Sequence, residues 1–405
     1  MSKPKVRMKG FEGDWAETTF GDIASLRRGL TYTPSDIQSN GVRVLRSSNI
    51  QDDLFVLNDD DVFVNPDAVN INYANTGDIL ITAANGSKKL VGKHCIIDSS
   101  NGDGFMVHGG FMLLAECSNP TFLNASMSAS WFRKEVSLNS AGGNGSISNL
   151  NKSQVNDFHL YAPNDNEQEK IGLYFNSFDT LISISQDKLN KLKSLKICYL
   201  NRLFPIGGGE IPPIRLAGFS GEWEEQVAGD IFESVSDKGH PDLPVLSATQ
   251  DRGMIIRDDS EKIIAHDKNN EVDYKRVQPG QFVIHLRSFQ GGFAHSDIEG
   301  ITSPAYTILR FKEPEKHDAY FWKYIFSSKE FILRLKTVTY GIRDGRSINY
   351  EDFLKMTFQF PKKEEQIVIS TFLKEMDSFI SLHSEELERL KSLRQSCLES
   401  MFVNP

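Results

Sequence analysis

The sequence predicts an α+β protein with two globular domains and two long helices that pack as an antiparallel coiled coil, in an internal pseudo-two-fold repeat. Three observations predict it. The opening motif occurs twice, a long segment with heptad spacing follows each copy, and a linker rich in glycine and proline precedes the second copy. A chain of 405 residues is long enough for two or three domains.

The repeat is strongest where each copy begins. Residues 7–23 read RMKGFEGDWAETTFGDI and residues 215–231 read RLAGFSGEWEEQVAGDI, so Arg, Gly-Phe, Gly, Trp, Glu and Gly-Asp-Ile recur in one register. Farther along, VLRSSNI at 44–50 matches VLSATQD at 245–251. Agreement of this quality indicates two copies of one globular unit.

Within each copy, short alternating apolar runs predict strands at 78–83, 111–116, 281–286 and 306–311. The apolar stretch 319–336 predicts a helix. Turns rich in Gly, Asn and Asp separate these segments, and such a mixture is typical of the α+β class.

A long helix is predicted after each copy. APNDNEQEKI ends at Ile171 and FPKKEEQIVI ends at Ile369, and both place a proline before the helix and glutamate in its first turn. Apolar residues then recur at steps of four and three, as in a coiled-coil seam. The central seam residues are predicted to form the core of the helix pair: Phe178, Ile182, Ser185, Leu189, Leu192, Met376, Ile380, His383, Leu387 and Leu390.

For the register of the pair, the expectation is Ser185 opposite His383, with a hydrogen bond between hydroxyl and imidazole. Lys196 and Arg394, at matching seam positions, are expected towards opposite ends, where their stems reach solvent. The alternative is two helices docked separately on their own domains.

These patterns divide the chain into five segments. They are a first domain (1–162), a first helix (163–204), a Gly/Pro linker (205–214), a second domain (215–360) and a second helix (361–405).

Composition limits the class of protein. The four cysteines are scattered without a C-x-x-C pair, which favours reduced thiols in a cytoplasm over disulfides or zinc. No run of 18 apolar residues occurs, so no membrane span is predicted. A net charge of −9 predicts weak binding to DNA by the chain alone.

The arrangement resembles the specificity subunit of type I restriction-modification systems. The paired G-F-x-G-x-W…G-D-I openings, the stretch GQFVIHLRSFQGG…EGITSPAYTILR and the paired P-x-x-x-E-Q helix starts carry the resemblance, which covers nearly the whole chain. It implies two target-recognition domains, each reading half of a bipartite site in double-stranded DNA. It also implies a helix pair that serves as spacer and docks two methyltransferase subunits, with two restriction/translocase subunits as an open option.

The loops in which the two copies differ are the candidate DNA contacts. Arg, Asn and Gln can make bidentate contacts with base edges, and two different loop sets on one scaffold predict an asymmetric target. Arg343 lies between Gly341 and Gly345 and Arg346 follows Gly345, and these glycines allow the backbone to approach phosphate closely. The candidate residues are Arg43, Arg46, Ser47, Asn49, Lys88, Lys89, Ser247, Thr249, Gln250, Arg287, Ser288, Gln290, Arg343 and Arg346.

Two other functions stay open at this point. Asp242, Asp273 and Lys275 loosely fit a nuclease pattern in which carboxylates hold Mg²⁺, although such a permissive pattern often arises by accident. A pure protein scaffold is the other alternative. The sequence contains neither an N-P-P-[FY] methyltransferase motif nor a G-x-x-x-x-G-K-[ST] nucleotide loop. We therefore expect no catalytic residue, metal or cofactor here, with S-adenosylmethionine, Mg²⁺ and ATP on partner subunits.

Overall fold

The computed structural model describes residues 3–98, 104–140, 148–206, 209, 211–249, 252–257, 268–285, 292–335, 339–340 and 347–405. The chain divides into two units. The first unit comprises residues 1–188 and 383–405, and the second comprises residues 189–382.

The first unit contains short strands and helices in mixed order. Its strands are β1 (Ala16–Thr19), β2 (Ser25–Arg28), β3 (Ile37–Gln38), β4 (Val42–Leu45), β5 (Ile50–Gln51), β6 (Leu54–Phe55), β7 (Val62–Val64), β8 (Ile79–Thr82), β9 (Ala84–Asn85), β10 (His94–Ile96), β11 (Met106–His108), β12 (Met112–Glu116), β13 (Ser148–Asn149) and β14 (His159–Ala162). Its helices are α1 (Phe20–Ile23), α2 (Pro120–Ser128), α3 (Ser130–Asn139) and α4 (Lys152–Asn156).

The second unit follows the same plan. A long helix, α5 (Asp165–Arg202), leads into it. Its strands are β15 (Glu224–Val227), β16 (Phe232–Val235), β17 (Leu246–Thr249), β18 (Gly253–Ile256), β19 (Lys275–Val277), β20 (Phe282–Ile284), β21 (Phe293–His295), β22 (Gly300–Thr302), β23 (Thr307–Phe311), β24 (Thr339–Tyr340), β25 (Ser347–Ile348) and β26 (Thr357–Phe360). Its helices are α6 (Ala228–Ile231), α7 (Ala319–Ser327), α8 (Lys329–Leu335) and α9 (Tyr350–Phe353), and the second long helix is α10 (Lys363–Met401).

Sheet topology confirms the internal repeat. The first unit has an antiparallel sheet in the order β10-β8-β12-β2, and the second has one in the order β21-β20-β23-β16. The first strand of each unit pairs with its last, as β1 with β14 and β15 with β26. The first unit adds the sheet β11-β4-β7-β3, in which β11 and β4 run parallel. The α+β prediction is confirmed.

The predicted strands are present, each shorter than its apolar run. The apolar stretch 319–336 is helical as predicted and forms two helices, α7 and α8, which are divided at Ser328. The Ser328 hydroxyl accepts a hydrogen bond of 3.2 Å from the backbone N–H of Phe331 and so caps α8.

The repeated opening motif has a structural explanation. Arg7 Nε and Nη2 donate to the two carboxylate oxygens of Glu167 at 2.8 and 2.7 Å, and Arg7 Nη1 donates to the carbonyl of Gly13. Gly13 has a φ of +88°, which glycine adopts without strain. The motif therefore joins the start of the unit to the first turn of its long helix.

The second unit repeats this contact. Arg215 donates to Glu365 at 2.8 and 2.7 Å and to the carbonyl of Gly221, whose φ is +92°. The glutamine that follows each glutamate also makes the same contact in both units. Gln168 donates to the Pro163 carbonyl at 2.9 Å, and Gln366 donates to the Pro361 carbonyl at 2.8 Å.

The hydrophobic core of each unit includes an aromatic residue that follows the C-terminal end of a long helix. In the first unit, Trp15 and Phe175 lie 6.1 and 5.6 Å from the ring of Phe402, which follows α10. In the second unit, Phe204, which follows α5, lies 5.5 Å from Phe321. Buried aromatic area of this kind is the main source of stability in such domains.

Parts of α5 and α10 pack antiparallel within each unit. In the first unit, Tyr174 contacts Cys397 and Asp179 contacts Arg394, so rising numbers in one helix meet falling numbers in the other. In the second unit, the ring centroids of Tyr199 and Phe372 are 5.0 Å apart, and Lys196 forms an ion pair with Asp377. The antiparallel prediction is confirmed.

The expected register was wrong by about one turn. The contact pairs Tyr174–Cys397 and Asp179–Arg394 have residue-number sums of 571 and 573, whereas Ser185 opposite His383 requires 568. A sum near 572 places Ser185 level with Leu387. The imidazole of His383 instead lies 3.1 Å from the carboxylate of Glu386 on its own helix.

The expectation for the seam cations was also wrong. Arg394 is buried rather than extended into solvent, and its Nε donates to Asp179 at 2.6 Å. Lys196 keeps about a quarter of its side chain exposed and pairs with Asp377. An aspartate faces each cation. The charges of Arg394 and Lys196 are therefore stabilised by ion pairs between the two helices rather than by hydration.

Candidate nucleic-acid interface

Two of the predicted reading loops of the first unit meet in space. The loop that follows β4 carries Arg46 and Ser47, and the loop at β9 carries Asn85. Asn85 Nδ2 donates a hydrogen bond of 3.1 Å to Ser47 Oγ. A cavity of about 630 Å³ opens beside this contact, and Arg46, Ser47 and Asn85 line it together with Tyr32 and Phe111. Polar and aromatic groups therefore converge on one concave surface.

Arg46 keeps part of its guanidinium available. The side chain is half-buried and donates from Nη2 to the Asp60 carbonyl at 3.3 Å, which is a long, weak contact. Its backbone N–H donates to Asn49 Oδ1 at 2.8 Å, and this hydrogen bond stabilises the loop conformation. An arginine supported in this way can still direct two N–H groups at a base edge.

Asn49 and Arg43, two of the sequence-based candidates, make hydrogen bonds within the first unit. Asn49 is fully buried, and its amide donates to the Val56 carbonyl at 3.0 Å and to the Asp61 carboxylate at 2.9 and 3.0 Å. Arg43 donates to Asp61 at 2.7 Å and packs over the ring of Phe63 at 4.7 Å. Both side chains are therefore engaged within the loop, and base contact by either one stays a prediction.

The carboxylate of Asp61 joins this network together. Burial by itself raises the pKa of Asp61, but hydrogen bonds from Asn58, Asn49 and Arg43 outweigh it and leave the pKa below its ordinary value of 3.8. The last residue of the acidic run 59–61 therefore stabilises the loop through hydrogen bonds and does not only add surface charge.

Exposed aromatic rings beside the loops were missed by the sequence analysis. Phe111, which we assigned to a strand, precedes β12 and is 66% exposed, and Phe105 is 65% exposed and stacks on Tyr73 at 4.6 Å. Large exposed rings are uncommon unless a partner covers them. The glycines that precede Phe105 and Phe111 were the available signal, because they interrupt the apolar run.

Lys88 and Lys89 lie in a single helical turn, Lys88–Leu90, and both are exposed. They line a second cavity, of about 640 Å³, on the first unit. Their side chains are thus on a different surface feature from the Arg46 cavity, although the same loop carries them and Asn85.

In the second unit, the candidates Ser247 and Thr249 lie on β17, which forms a hairpin with β18. Thr249 Oγ1 donates to the Gly253 carbonyl at 2.7 Å and accepts from the Arg252 N–H, so this hydroxyl stabilises the hairpin turn. Ser247 is half-buried. The other candidates lie outside the described residues: Gln250, Arg287, Ser288, Gln290, Arg343 and Arg346.

Asp273 and Lys275 of the nuclease pattern have other partners. Asp242 is exposed, Asp273 pairs with Lys238 at 3.7 Å, and Lys275 donates to the Tyr306 carbonyl at 2.7 Å. Burial lowers the pKa of Lys275. Over the part of the chain that the structure describes, no group of three His, Cys, Asp or Glu residues could hold a metal ion.

The predicted seam residues lie on the inner side of their helices. Phe178, Ile182, Leu189 and Leu387 are buried. The remaining seam residues are half-buried: Ser185, Leu192, Met376, Ile380, His383 and Leu390. Among the described residues, every helix is too short or too polar to span a membrane.

Comparisons with known proteins agree with the repeat. The family model described as "Type I restriction modification DNA specificity domain" matches residues 12–194 and 221–392. The crystal structure of the type I restriction-modification system S subunit from M. genitalium is similar, with a TM-score of 0.62 and 14% identity over 100% of both chains. A chain from a structure of complex assembly and conformational transition of the type I R-M system has a TM-score of 0.50 and 15% identity, over 95% of this chain and 96% of that one.

Proposed function

Since the chain belongs to the type I restriction modification DNA specificity family, we propose that each unit reads one half of an asymmetric, bipartite site in double-stranded DNA. The observation that supports this proposal is that the two units share a scaffold but have different residues at the proposed reading positions. The sheet order repeats, yet Arg46, Ser47 and Asn85 surround a cavity in the first unit where the second presents the β17–β18 hairpin. Different side chains select different bases.

The test is to map modified bases. The chain is co-expressed with a methyltransferase subunit of the same system, and methylated positions are sequenced with and without the gene. We expect one two-part motif that depends on the chain. A palindromic motif, or modification independent of the chain, would refute the proposal.

A second part of the proposal is the docking of two methyltransferase subunits. Equivalent positions in α5 and α10 lie 198 residues apart, and at these positions both helices expose apolar side chains. Leu181 and Ile184 are 50% and 59% exposed, and their equivalents Phe379 and Leu382 are 56% and 59% exposed. Leu195 and Leu393 follow the same rule at 49% and 52%. Two equivalent apolar patches favour two copies of one partner.

Mass measurement of the intact complex tests the stoichiometry. Leu181→Asp with Ile184→Asp should remove one methyltransferase copy, and Phe379→Asp with Leu382→Asp should remove the other. Asn176→Asp, at an exposed polar position of α5, serves as the control and should keep both copies. A complex saturated with a single copy before any substitution would disprove two-fold docking.

We further propose that helix length sets the number of unread base pairs. The 38 residues of α5 rise about 57 Å, which is longer than one turn of DNA at about 34 Å. A heptad added to both helices, so that the seam stays in phase, adds about 10 Å. The mapped motif should then gain about three unread base pairs and keep both halves; an unchanged spacing would contradict this role.

In this proposal the chain has no catalytic residue. Methyl transfer and any cleavage, with S-adenosylmethionine, Mg²⁺ and ATP, belong to the partner subunits and to a cytoplasmic complex. The contacts of Asp273 with Lys238 and of Lys275 with the Tyr306 carbonyl give the nuclease alternative no support. A restriction/translocase subunit would be detected as additional mass in the same measurement.

A further inference from the structure

We infer that the first unit contains a phosphate-binding pocket, formed where its globular part meets α10. The pocket is the cavity of about 640 Å³ on this unit. This inference rests on the proposed function only for the source of the phosphate, and the pocket itself is argued from the residues that line it.

Two residues that line this cavity each have a buried polar atom with no hydrogen-bond partner among the described residues. Arg394 is 8% exposed and uses Nε for Asp179, but its Nη2 is buried without a partner. Ser140 is 1% exposed, and its hydroxyl is likewise buried without a partner. Both residues line the cavity. An orphaned guanidinium N–H is costly, so a ligand that accepts hydrogen bonds would stabilise both donors.

The charge of the cavity selects an anion. Its lining includes Arg394 and, nearer the surface, Lys88, Lys89, Lys93 and Arg133, against Asp53 as the acidic member among its described lining residues. His94 also lines it, but burial lowers the pKa of His94 and keeps its imidazole neutral. Cations around a buried guanidinium are the usual setting for a phosphate group.

The second unit differs at the position that matches Arg394. The equivalent of Arg394 is Lys196, which pairs with Asp377 as Arg394 pairs with Asp179. The sixth residue of α7 is Tyr324, whose hydroxyl donates to Asp377 at 2.7 Å and whose ring lies 5.8 Å from the Lys196 ammonium. The sixth residue of α2 is Ala125, which has no hydroxyl to donate to Asp179. At this matched position, therefore, a tyrosine hydroxyl engages the aspartate of the ion pair in the second unit, and an alanine replaces the tyrosine in the first.

The carriers of phosphate to consider are the DNA backbone and a free phosphate ion. Lys88 and Lys89 belong to the same loop as Asn85, which contacts Ser47 in the proposed reading surface. A DNA strand on that surface would bring backbone phosphates towards these lysines. Lys88 and Lys89 then serve as phosphate contacts that position the duplex, not as base contacts.

The second unit also supplies the matched variant. Arg394→Lys keeps an ion pair with Asp179, as Lys196 does with Asp377, but removes the spare N–H group. Inorganic phosphate is titrated calorimetrically into the full chain, exchanged against chloride at constant ionic strength. We expect binding that Arg394→Lys and, independently, Ser140→Ala each weaken at least about tenfold. Lys196→Arg is the control and should leave phosphate affinity unchanged, and melting temperatures verify that each variant is folded.

The second arm measures DNA binding by the complex with methyltransferase as salt is varied. If the DNA backbone is the source, Arg394→Lys makes the negative slope of log K against log salt shallower by about 0.9. An unchanged slope with lost phosphate binding assigns the pocket to free phosphate. The inference is overturned if neither measurement responds to either variant, or if the variants impair only methyltransferase association, which would indicate an acidic protein partner. Continued methylation of the target without phosphate binding would refute the pocket and leave the proposed reading function intact.

Discussion

The amide of Asn85 donates a hydrogen bond of 3.1 Å to the hydroxyl of Ser47, which joins two loops that are 38 residues apart in the chain. Both loops were candidate DNA contacts on sequence grounds, and this bond places them beside one cavity. A single DNA half-site could therefore contact both loops at once.

Arg46→Ala should weaken discrimination in one half of the target only. Arg46 lines that cavity with a weakly engaged guanidinium, and loss of a bidentate base contact costs roughly 1–3 kcal/mol of discrimination. The measurement is the frequency of each base at every position of the methylated motif. Ser247→Ala, in the second unit, is the matched control and should affect only the opposite half. An equal loss on all sequences would mark Arg46 as a phosphate contact.

Asn49→Ala should destabilise the first unit. The substitution removes the Asn49 donor from the Val56 carbonyl and one of the donors to the Asp61 carboxylate, which keeps those from Arg43 and Asn58, at a cost of about 1–3 kcal/mol. Denaturant unfolding measures the loss, and Ser48→Ala, at an exposed neighbouring position, should be close to neutral. If Asn49→Ala altered base preference at unchanged stability, the structural role assigned to Asn49 would be mistaken.

The Asp61 network predicts a dependence of stability on pH. Hydrogen bonds hold the pKa of Asp61 below 3.8, so the folded state prefers the carboxylate more strongly than the unfolded chain does. The stabilisation is complete above the unfolded pKa and is lost as pH falls below about 3.8 through the folded pKa. Asp61→Asn should remove this part of the acid dependence. Parallel stability curves for the two proteins below pH 4 would contradict the prediction.

Several features of the fold were accessible from the sequence because they repeat. Arg7 and Arg215 recur in one register, and so do Glu167 and Glu365. The structure shows the reason, since each arginine binds the glutamate of its own unit. Paired motifs with one structural role are easier to detect than single contacts.

The register of the helices and the internal use of Arg43 could not be obtained in this way. A heptad pattern identifies the seam but allows axial shifts by one turn, and the ion pair of Asp179 with Arg394 decides between them. Arg43 resembles any basic residue near a loop until Asp61, 18 positions away, is seen beside it. Six candidate contacts outside the described residues remain predictions.

Glu167→Gln should lower the stability of the first unit by roughly 3 kcal/mol, since it leaves Arg7 without its charged partner. The lower end of the range for buried pairs applies because Arg7 keeps 17% of its side chain exposed. Thermal unfolding measures the loss, and Glu365→Gln should have an equal effect in the second unit. Glu169→Gln, at an exposed position of α5, is the control. A large difference between Glu167→Gln and Glu365→Gln would refute the equivalence of the two contacts.

A circular permutant should fold. The backbone N–H of Ile214 donates to the Arg202 carbonyl at 2.9 Å, and that of Val6 donates to the Ser400 carbonyl at 2.9 Å. In the second unit, residues 205–213 connect Phe204 to Ile214. If the termini were joined, residues 403–405 and 1–5 would connect Phe402 to Val6 in the first unit, and this connection has nearly the same length.

The permutant joins Pro405 to Met1 and opens the chain between Gly207 and Gly208. We expect helix content by circular dichroism, melting temperature and methylated motif to match those of the parent. A permutant opened within α5, between Gln186 and Asp187, is the control and should be destabilised because it interrupts the helix. Failure of the first permutant alone would contradict the structural equivalence of these connections.

The most direct test of modular reading replaces residues 215–360 with the corresponding domain of another member of the family. The exchanged chain is co-expressed with its methyltransferase, and methylated bases are sequenced across the genome. The account predicts that one half of the bipartite motif changes while the other half and the spacing between them stay the same. A change in both halves, or in neither, would contradict it.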